Sequence, residues 1–184
     1  RTSPTNIGLA LLANLAAHDF GYLPVAQLLE RTHDTLAAME TLERYRGHFY
    51  NWYDTRTMLP LRPFYVSSVD SGNLVGALLT LRAGLEELKH QPLVSDRTRA
   101  GLVDTLHVVA DQARGFTPVL GVVQRAQTIL DAPGDVTVDA ITTRLQAFHE
   151  QAAGIVQSVP PHAPAELRWW ADALERQCRA GLED

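Results

Sequence analysis

Aromatic side chains alternate with amide and carboxylate side chains in one short segment between His48 and Asn73. The rings of Trp and Tyr can cover the apolar C–H face of a sugar, and amides and carboxylates can bind its hydroxyl groups. The segment therefore indicates either a saccharide site or a plug of rings packed against helices. Its polar candidates are Asn51, Asp54, Asp70 and Asn73, and its rings are Phe49, Tyr50, Trp52, Tyr53, Phe64 and Tyr65.

Asp54 and Asp70 are also the candidates for a general acid and base. Glycosidases place two carboxylates on either side of the scissile bond, but sequence spacing does not give their distance. Asp70 precedes Ser71 and Gly72, where a helix N-cap is expected. We favour a ligand or cap role for both residues, and we assign no catalytic residue.

A second group of candidates lies in the opening RTSPTNIG. Ser3 is a favourable N-cap and Pro4 a favourable first helical residue. Thr5 and Asn6 are poor residues for a helix interior, so we expect them in the first turn, facing whatever lies beyond the helix end. Capping explains Ser3 and Pro4 but not Asn6, which makes Thr5 and Asn6 candidate ligands.

Composition and motifs exclude several other functions. The net charge is −5 and the basic residues are scattered, which argues against a nucleic-acid surface. The seven histidines are spread out, with none paired at i,i+4, and no glycine-rich phosphate loop or GxSxG motif occurs, so we predict no metal and no cofactor. The single cysteine, Cys178, is expected in the core.

The longest apolar run, from Ile7 to Ala17, is too short to span a bilayer and contains Asn14. No basic region precedes it, so neither a membrane helix nor a signal peptide is predicted. The chain opens directly on a helix signal without a methionine, and we expect it to be a piece of a longer polypeptide.

Apolar residues spaced three and four apart predict about seven helices in one all-α domain, residues 1–184. The signals that begin a helix are Ser3-Pro4, Pro24, Ser71 or Gly72, Ser95, Thr117-Pro118, Thr137 and Pro164, and those that end one are Gly21, Gly47, Pro92, Pro133-Gly134, Pro160-Pro161 and Leu182. In the second helix the predicted buried stripe is Leu28, Leu29, Thr32, Leu36, Met39 and Leu42. An extended piece is expected only around Phe64 to Val69. The connection from Gly47 to Asp70 is unusually long for a helical domain, which indicates a functional loop.

Four stretches together resemble the middle, glycoamylase-like (transglycosylase) region of the bacterial cyclic β-1,2-glucan synthases. They are RTSPTNIGL at 1–9, DFGYL at 19–23, LERYRGHFYNWYDT at 42–55 and YVSSVDSGNLVGALL at 65–79. The motifs are long and specific but cover roughly the first half of the chain, and the remainder resembles only generic helices.

The resemblance implies helix hairpins forming part of an (α/α)6 toroid-like domain around a sugar cleft, and a role in transglycosylation of β-1,2-glucan. It also implies that Arg1–Ile7 and Asn51–Asn73 share one rim. The candidate ligands are then Arg1, Thr5, Asn6, Asn51, Trp52, Tyr53, Asp54, Asp70 and Asn73. In that family the catalytic acids follow this stretch, so the chain is not expected to be catalytic alone.

The partners implied are β-1,2-glucan or a related oligosaccharide and the other domains of the parent chain. The expected location is a soluble domain on the cytoplasmic side of a bacterial inner-membrane protein, with no insertion of this segment into the membrane. An apolar face left exposed would favour a homodimer. The alternative function is a helical interaction or scaffold module of a membrane-bound glycan synthase.

Overall fold

The computed structural model describes residues 1–91, 96–132 and 137–183, and these ranges contain seven α-helices and one two-stranded hairpin. The elements are α1 (Pro4–Asp19), α2 (Val25–Thr41), β1 (Arg44–Tyr45), β2 (His48–Phe49), α3 (Ser68–Leu88), α4 (Asp96–Gln112), α5 (Thr117–Asp131), α6 (Val138–Ser158) and α7 (Ala165–Glu183). The all-α class and the helix number are therefore confirmed. The toroid-like arrangement stays a prediction.

Several helix starts follow the predicted capping signals. The Ser3 hydroxyl accepts a hydrogen bond from the Asn6 N–H at 3.3 Å, and the Thr137 hydroxyl accepts one from Ala140 at 3.3 Å. α5 begins at Thr117, with a proline in its first turn. The expected break at Pro92, the cap at Ser95 and the turn at Pro133-Gly134 lie outside the described residues.

Three expected boundaries around the long connection are wrong. α2 ends at Thr41 rather than at Gly47, because the chain from Arg44 to Phe49 pairs as a hairpin instead. α3 begins at Ser68 rather than at Ser71 or Gly72, because Ser67 is the N-cap and its hydroxyl accepts the Asp70 N–H at 3.1 Å. Asp70 is therefore in the first turn and is not the cap. The extended piece expected around Phe64 to Val69 ends earlier, since residues 68 and 69 are already helical and Ser67 is the last residue with an extended backbone.

The chain divides into two compact units, and the first comprises residues 1–18 and 26–91. Its buried apolar residues are Leu11, Leu15, Leu28, Met39, Leu42, Tyr53, Leu74, Ala77 and Leu81. The predicted stripe of α2 is confirmed at Leu28, Thr32, Met39 and Leu42, but Leu29 and Leu36 are exposed. Leu29 and Leu36 lie about 100° and about 80° around the helix from Leu28, at the edge of the buried face.

The second unit comprises residues 19–25 and 92–184. α4 and α6 each pack against both α5 and α7, so the four helices share one core, in which Cys178 is buried as predicted. The segment from Asp19 to Val25 packs closely on α4. Gly21 has a φ of 77°, and a Cβ there would overlap the carbonyl oxygen of Arg97.

Within the described ranges, no helix is both long and apolar enough to cross a membrane. The assignment of residues 1–184 to a single domain stays a prediction. The candidate ligands in the long connection all belong to the first unit.

Candidate functional site

The connection between α2 and α3, residues 42–67, is organised around Tyr53; we call it the α2–α3 segment. The Tyr53 side chain has 0% exposure, and burial raises its pKa. Its hydroxyl donates to the Glu43 carbonyl and accepts from the Tyr50 N–H, both at 2.8 Å. The ring therefore anchors the segment and has no surface left for a ligand.

Tyr53 also joins the segment to the start of the chain. Its backbone N–H and carbonyl exchange two hydrogen bonds with Thr2, each of 2.9 Å. This pairing places Arg1 beside Trp52, with the Arg1 guanidinium 4.4 Å from the centre of the indole ring. A cation at that distance is attracted by the ring, so Arg1 and Trp52 form one half-open surface.

The buried amide of Asn51 links three side chains. Its Oδ1 accepts from Trp52 Nε1 at 2.8 Å and from the Tyr65 hydroxyl at 2.6 Å, and its Nδ2 donates to Asp70 at 2.8 Å. The opposite amide orientation would keep the Tyr65 contact but turn Nδ2 toward the indole N–H and Oδ1 toward the Asp70 carboxylate. We adopt the orientation that satisfies all three partners. Asn51 thereby fixes the direction of the Trp52 ring.

Asp70 lies where the first turns of α1 and α3 meet. The hydroxyls of Thr5, Ser67 and, to a lesser degree, Ser3 bind its carboxylate and hold its pKa below the ordinary value, although partial burial opposes this. The Thr5 hydroxyl in turn accepts from Asn73 Nδ2 at 3.1 Å. The structure thus brings Thr5, Asn51, Asp70 and Asn73 into one hydrogen-bonded network.

Asp54 belongs to a separate, local turn. Its carboxylate accepts the N–H groups of Arg56 at 2.8 Å and Thr57 at 3.2 Å, and these two bonds lower its pKa. A general acid needs a raised pKa to hold its proton near neutral pH. The pKa values of Asp54 and Asp70 both move the other way, so neither carboxylate is tuned for that role.

The predicted ligands therefore differ in what they present to solvent. Tyr53 is enclosed, and Asn51 is buried with its amide fully used. Arg1, Asn6 and Asn73 are exposed. Trp52, Thr5, Asp54 and Asp70 are half-buried.

The hairpin that replaces the end of α2 adds residues for which the sequence predicted no binding role. Its turn residues Arg46 and Gly47 have φ values of 50° and 85°, the left-handed pair of a two-residue hairpin turn. The hairpin lines a groove of about 380 Å3 together with the end of the α2–α3 segment. The lining residues are Tyr45, His48, Tyr50, Phe64, Tyr65 and Val66.

Tyr45 and His48 were missed because the usual signal for such a turn is Asn-Gly or Asp-Gly, and this chain has Arg-Gly. Tyr65 connects the groove to the network, since its ring lines the groove and its hydroxyl binds Asn51.

No group of three His, Cys, Asp or Glu side chains able to hold a metal ion occurs in the part of the chain that the structure describes.

No protein-family model matches the chain. The cyclic β-(1,2)-glucan synthase NdvB of Rhizobium meliloti (strain 1021) is 29% identical to it over 206 aligned positions. The alignment takes in 100% of this chain, beyond the first half to which the motifs pointed, and 7% of the length of that relative. Over its whole length, this chain therefore resembles one region of a cyclic β-1,2-glucan synthase.

Proposed function

We propose that this chain forms a saccharide-binding part of a transglycosylase or glycoamylase-like domain acting in cyclic β-1,2-glucan synthesis. The observation that carries the proposal is the network around Asn51, which holds the Trp52 ring at a half-open surface next to the first turns of α1 and α3. The similarity to a glucan synthase supplies the class of ligand.

The roles of the candidate residues follow from their exposure. Trp52 offers ring surface for the apolar face of a glucose unit, and the exposed side chains of Arg1, Asn6 and Asn73 offer donors and acceptors for its hydroxyls. Thr5, Asn51, Tyr53 and Asp70 position these groups, whereas Asp54 stabilises its own turn. The site is thus a rigid platform rather than a closed pocket.

The chain alone is not a catalyst in this proposal. Asp54 stabilises a local turn and Asp70 accepts hydrogen bonds from several hydroxyl groups, so each carboxylate has a structural role. Incubation of the purified chain with linear β-1,2-glucan should release no reducing ends. Robust cleavage that disappears in Asp54→Asn would instead make Asp54 a catalytic residue.

Isothermal titration with linear β-1,2-gluco-oligosaccharides tests the binding role. Trp52→Ala should weaken binding about tenfold, since a stacked ring and its buried area are lost together. Trp169→Ala is the matched control, because Trp169 is an exposed ring on α7, outside the α2–α3 segment. Equal affinity of the wild-type chain and Trp52→Ala would contradict the proposed platform.

A second candidate function, an interaction or scaffold module, is favoured by one face of α3. Exposed apolar or small residues fall within about 120° of its circumference. They are Val69, Gly72, Val75, Gly76, Leu79 and Ala83. An exposed stripe of this kind marks a surface that another protein part covers.

We propose that this face of α3 packs against another domain of a parent glucan synthase on the cytoplasmic side of a bacterial inner membrane. The competing possibility is a homodimer of this chain. Light scattering on the purified chain decides between them. A concentration-dependent dimer that Leu79→Glu dissociates would favour the homodimer, whereas a monomer at high concentration would rule it out.

A further inference from the structure

The groove beside the hairpin has the chemical features of a binding site in its own right. Three of its rings are about half exposed: Tyr45 at 51%, Phe64 at 49% and Tyr65 at 46%. Tyr50 supports them, with its ring centre 5.5 Å from that of Phe64. Half-exposed rings around a groove of about 380 Å3 offer apolar surface that the protein covers only in part.

Two arginines place their charged groups against rings that line this groove. The Arg46 guanidinium lies 5.4 Å from the centre of the Tyr45 ring, and that of Arg62 lies 4.8 Å from the centre of Phe64. Among the described residues, neither arginine forms an ion pair with a carboxylate. Among the residues that the structure describes, no acidic side chain lines the groove. Guanidinium donors therefore lie beside the rings of the groove, which suits a ligand that carries acceptors.

We propose that this groove is a second saccharide-contact surface, which binds a further segment of the same glucan chain that contacts Trp52. This inference rests on the proposed function. An oligosaccharide fits the groove because each sugar unit has an apolar face for a ring and hydroxyl and ether oxygens that accept from guanidinium, imidazole and phenol groups.

The connection through Tyr65 favours a long oligosaccharide over an unrelated ligand. Tyr65 contributes its ring to the groove and its hydroxyl to Asn51, and Asn51 holds Trp52. Tyr65 and Asn51 thus connect the groove to Trp52 through hydrogen bonds within the α2–α3 segment. A proline-rich peptide could also stack on such rings, so it serves as the competing ligand in the test.

The test compares a β-1,2-linked disaccharide with a longer linear β-1,2-gluco-oligosaccharide by isothermal titration of the full chain. Tyr45→Ala and Phe64→Leu should each weaken binding of the long ligand about threefold to tenfold, because each removes one stacked ring. Affinity for the disaccharide, which fits one surface only, should change less. Phe64→Leu keeps an apolar side chain against Tyr50, so it remains informative if Tyr45→Ala disturbs the hairpin.

Four outcomes decide the matter. Loss of long-chain affinity in both groove variants, with Trp169→Ala unchanged, supports the groove. If the groove variants keep their affinity while Trp52→Ala loses binding, the groove is not a saccharide-contact surface, but the proposed function stands. No binding of any β-1,2-glucan to the wild-type chain overturns the groove and the proposed function together. If the groove variants abolish binding of a proline-rich peptide and do not change glucan affinity, the groove is a peptide site and not a saccharide-contact surface.

Discussion

Replacement of Asp70 by Asn tests whether its carboxylate joins the first turns of α1 and α3. The carboxylate binds the hydroxyls of Thr5 and Ser67 and accepts from Asn51 Nδ2 at 2.8 Å. Asn at this position would keep one acceptor oxygen but would turn an NH2 group toward donors. A charge-assisted hydrogen bond contributes about 1.5–3 kcal/mol when shielded, and the partial exposure of Asp70 reduces this.

We therefore expect Asp70→Asn to lower the free energy of unfolding by about 1–2 kcal/mol. For a chain of this size the melting temperature should fall by about 2–8 °C. Circular dichroism at pH 7 measures the change. Asp34→Asn is the matched control, because the Asp34 side chain is 73% exposed and contacts the neighbouring His33 at the surface. Its melting temperature should stay within about 1 °C of the wild type.

The pH dependence gives the same prediction a second test. The pKa of Asp70 in the folded chain lies below its ordinary value of 3.8, which is the value expected in the unfolded chain. The ionised carboxylate therefore contributes fully to the free energy of unfolding at pH values above the ordinary pKa. This stabilisation is lost as the pH falls through the lower pKa of the folded chain. The difference in melting temperature between the wild type and Asp70→Asn should therefore become smaller in acid. Equal melting temperatures at pH 7, or a gap that does not change in acid, would refute the network.

Three further predictions concern groups whose packing the structure defines. Tyr53→Phe should cost about 1–2 kcal/mol in the free energy of unfolding, because the hydroxyl that bonds two partly buried backbone groups is lost; thermal melts measure it, and an unchanged melt would contradict the anchoring role. Gly21→Ala should destabilise the second unit severely, since its Cβ would overlap the Arg97 carbonyl, and a well-dispersed native NMR spectrum would argue against that packing. Burial, and then the charge of Glu175, raises the pKa of Cys178 to about 12, so a thiol reagent at pH 8 should label it only after denaturation. Rapid labelling of the native chain would show that the helix core of the second unit is open.

The sequence predicts the helices well because each one carries its own signal. Apolar residues spaced three and four apart mark the buried faces of α2 and α4, and Ser3 and Thr137 mark helix starts that the structure confirms. These signals are local, so they can be read without knowing what the helix packs against.

The candidate site was predicted less completely because its geometry depends on contacts distant in sequence. Asn73 and Thr5 are 68 residues apart and meet only once α1 and α3 have packed. The same packing encloses Tyr53, which as a residue type resembles its exposed neighbour Tyr65. The hairpin was missed because Arg46 adopts a left-handed backbone conformation, which no local sequence motif predicts.

Binding of glucan by the α2–α3 segment, as proposed, can be measured by a 1H–15N NMR titration of the chain with a long linear β-1,2-gluco-oligosaccharide. We expect shifts of the Trp52 indole N–H and of the amides in the hairpin and around Tyr65, with smaller effects from a β-1,4-linked oligosaccharide of equal length. The indole N–H groups of Trp169 and Trp170 on α7 provide the internal control. An unshifted Trp52 indole at millimolar ligand, or equal shifts of all three indoles, would contradict the claim.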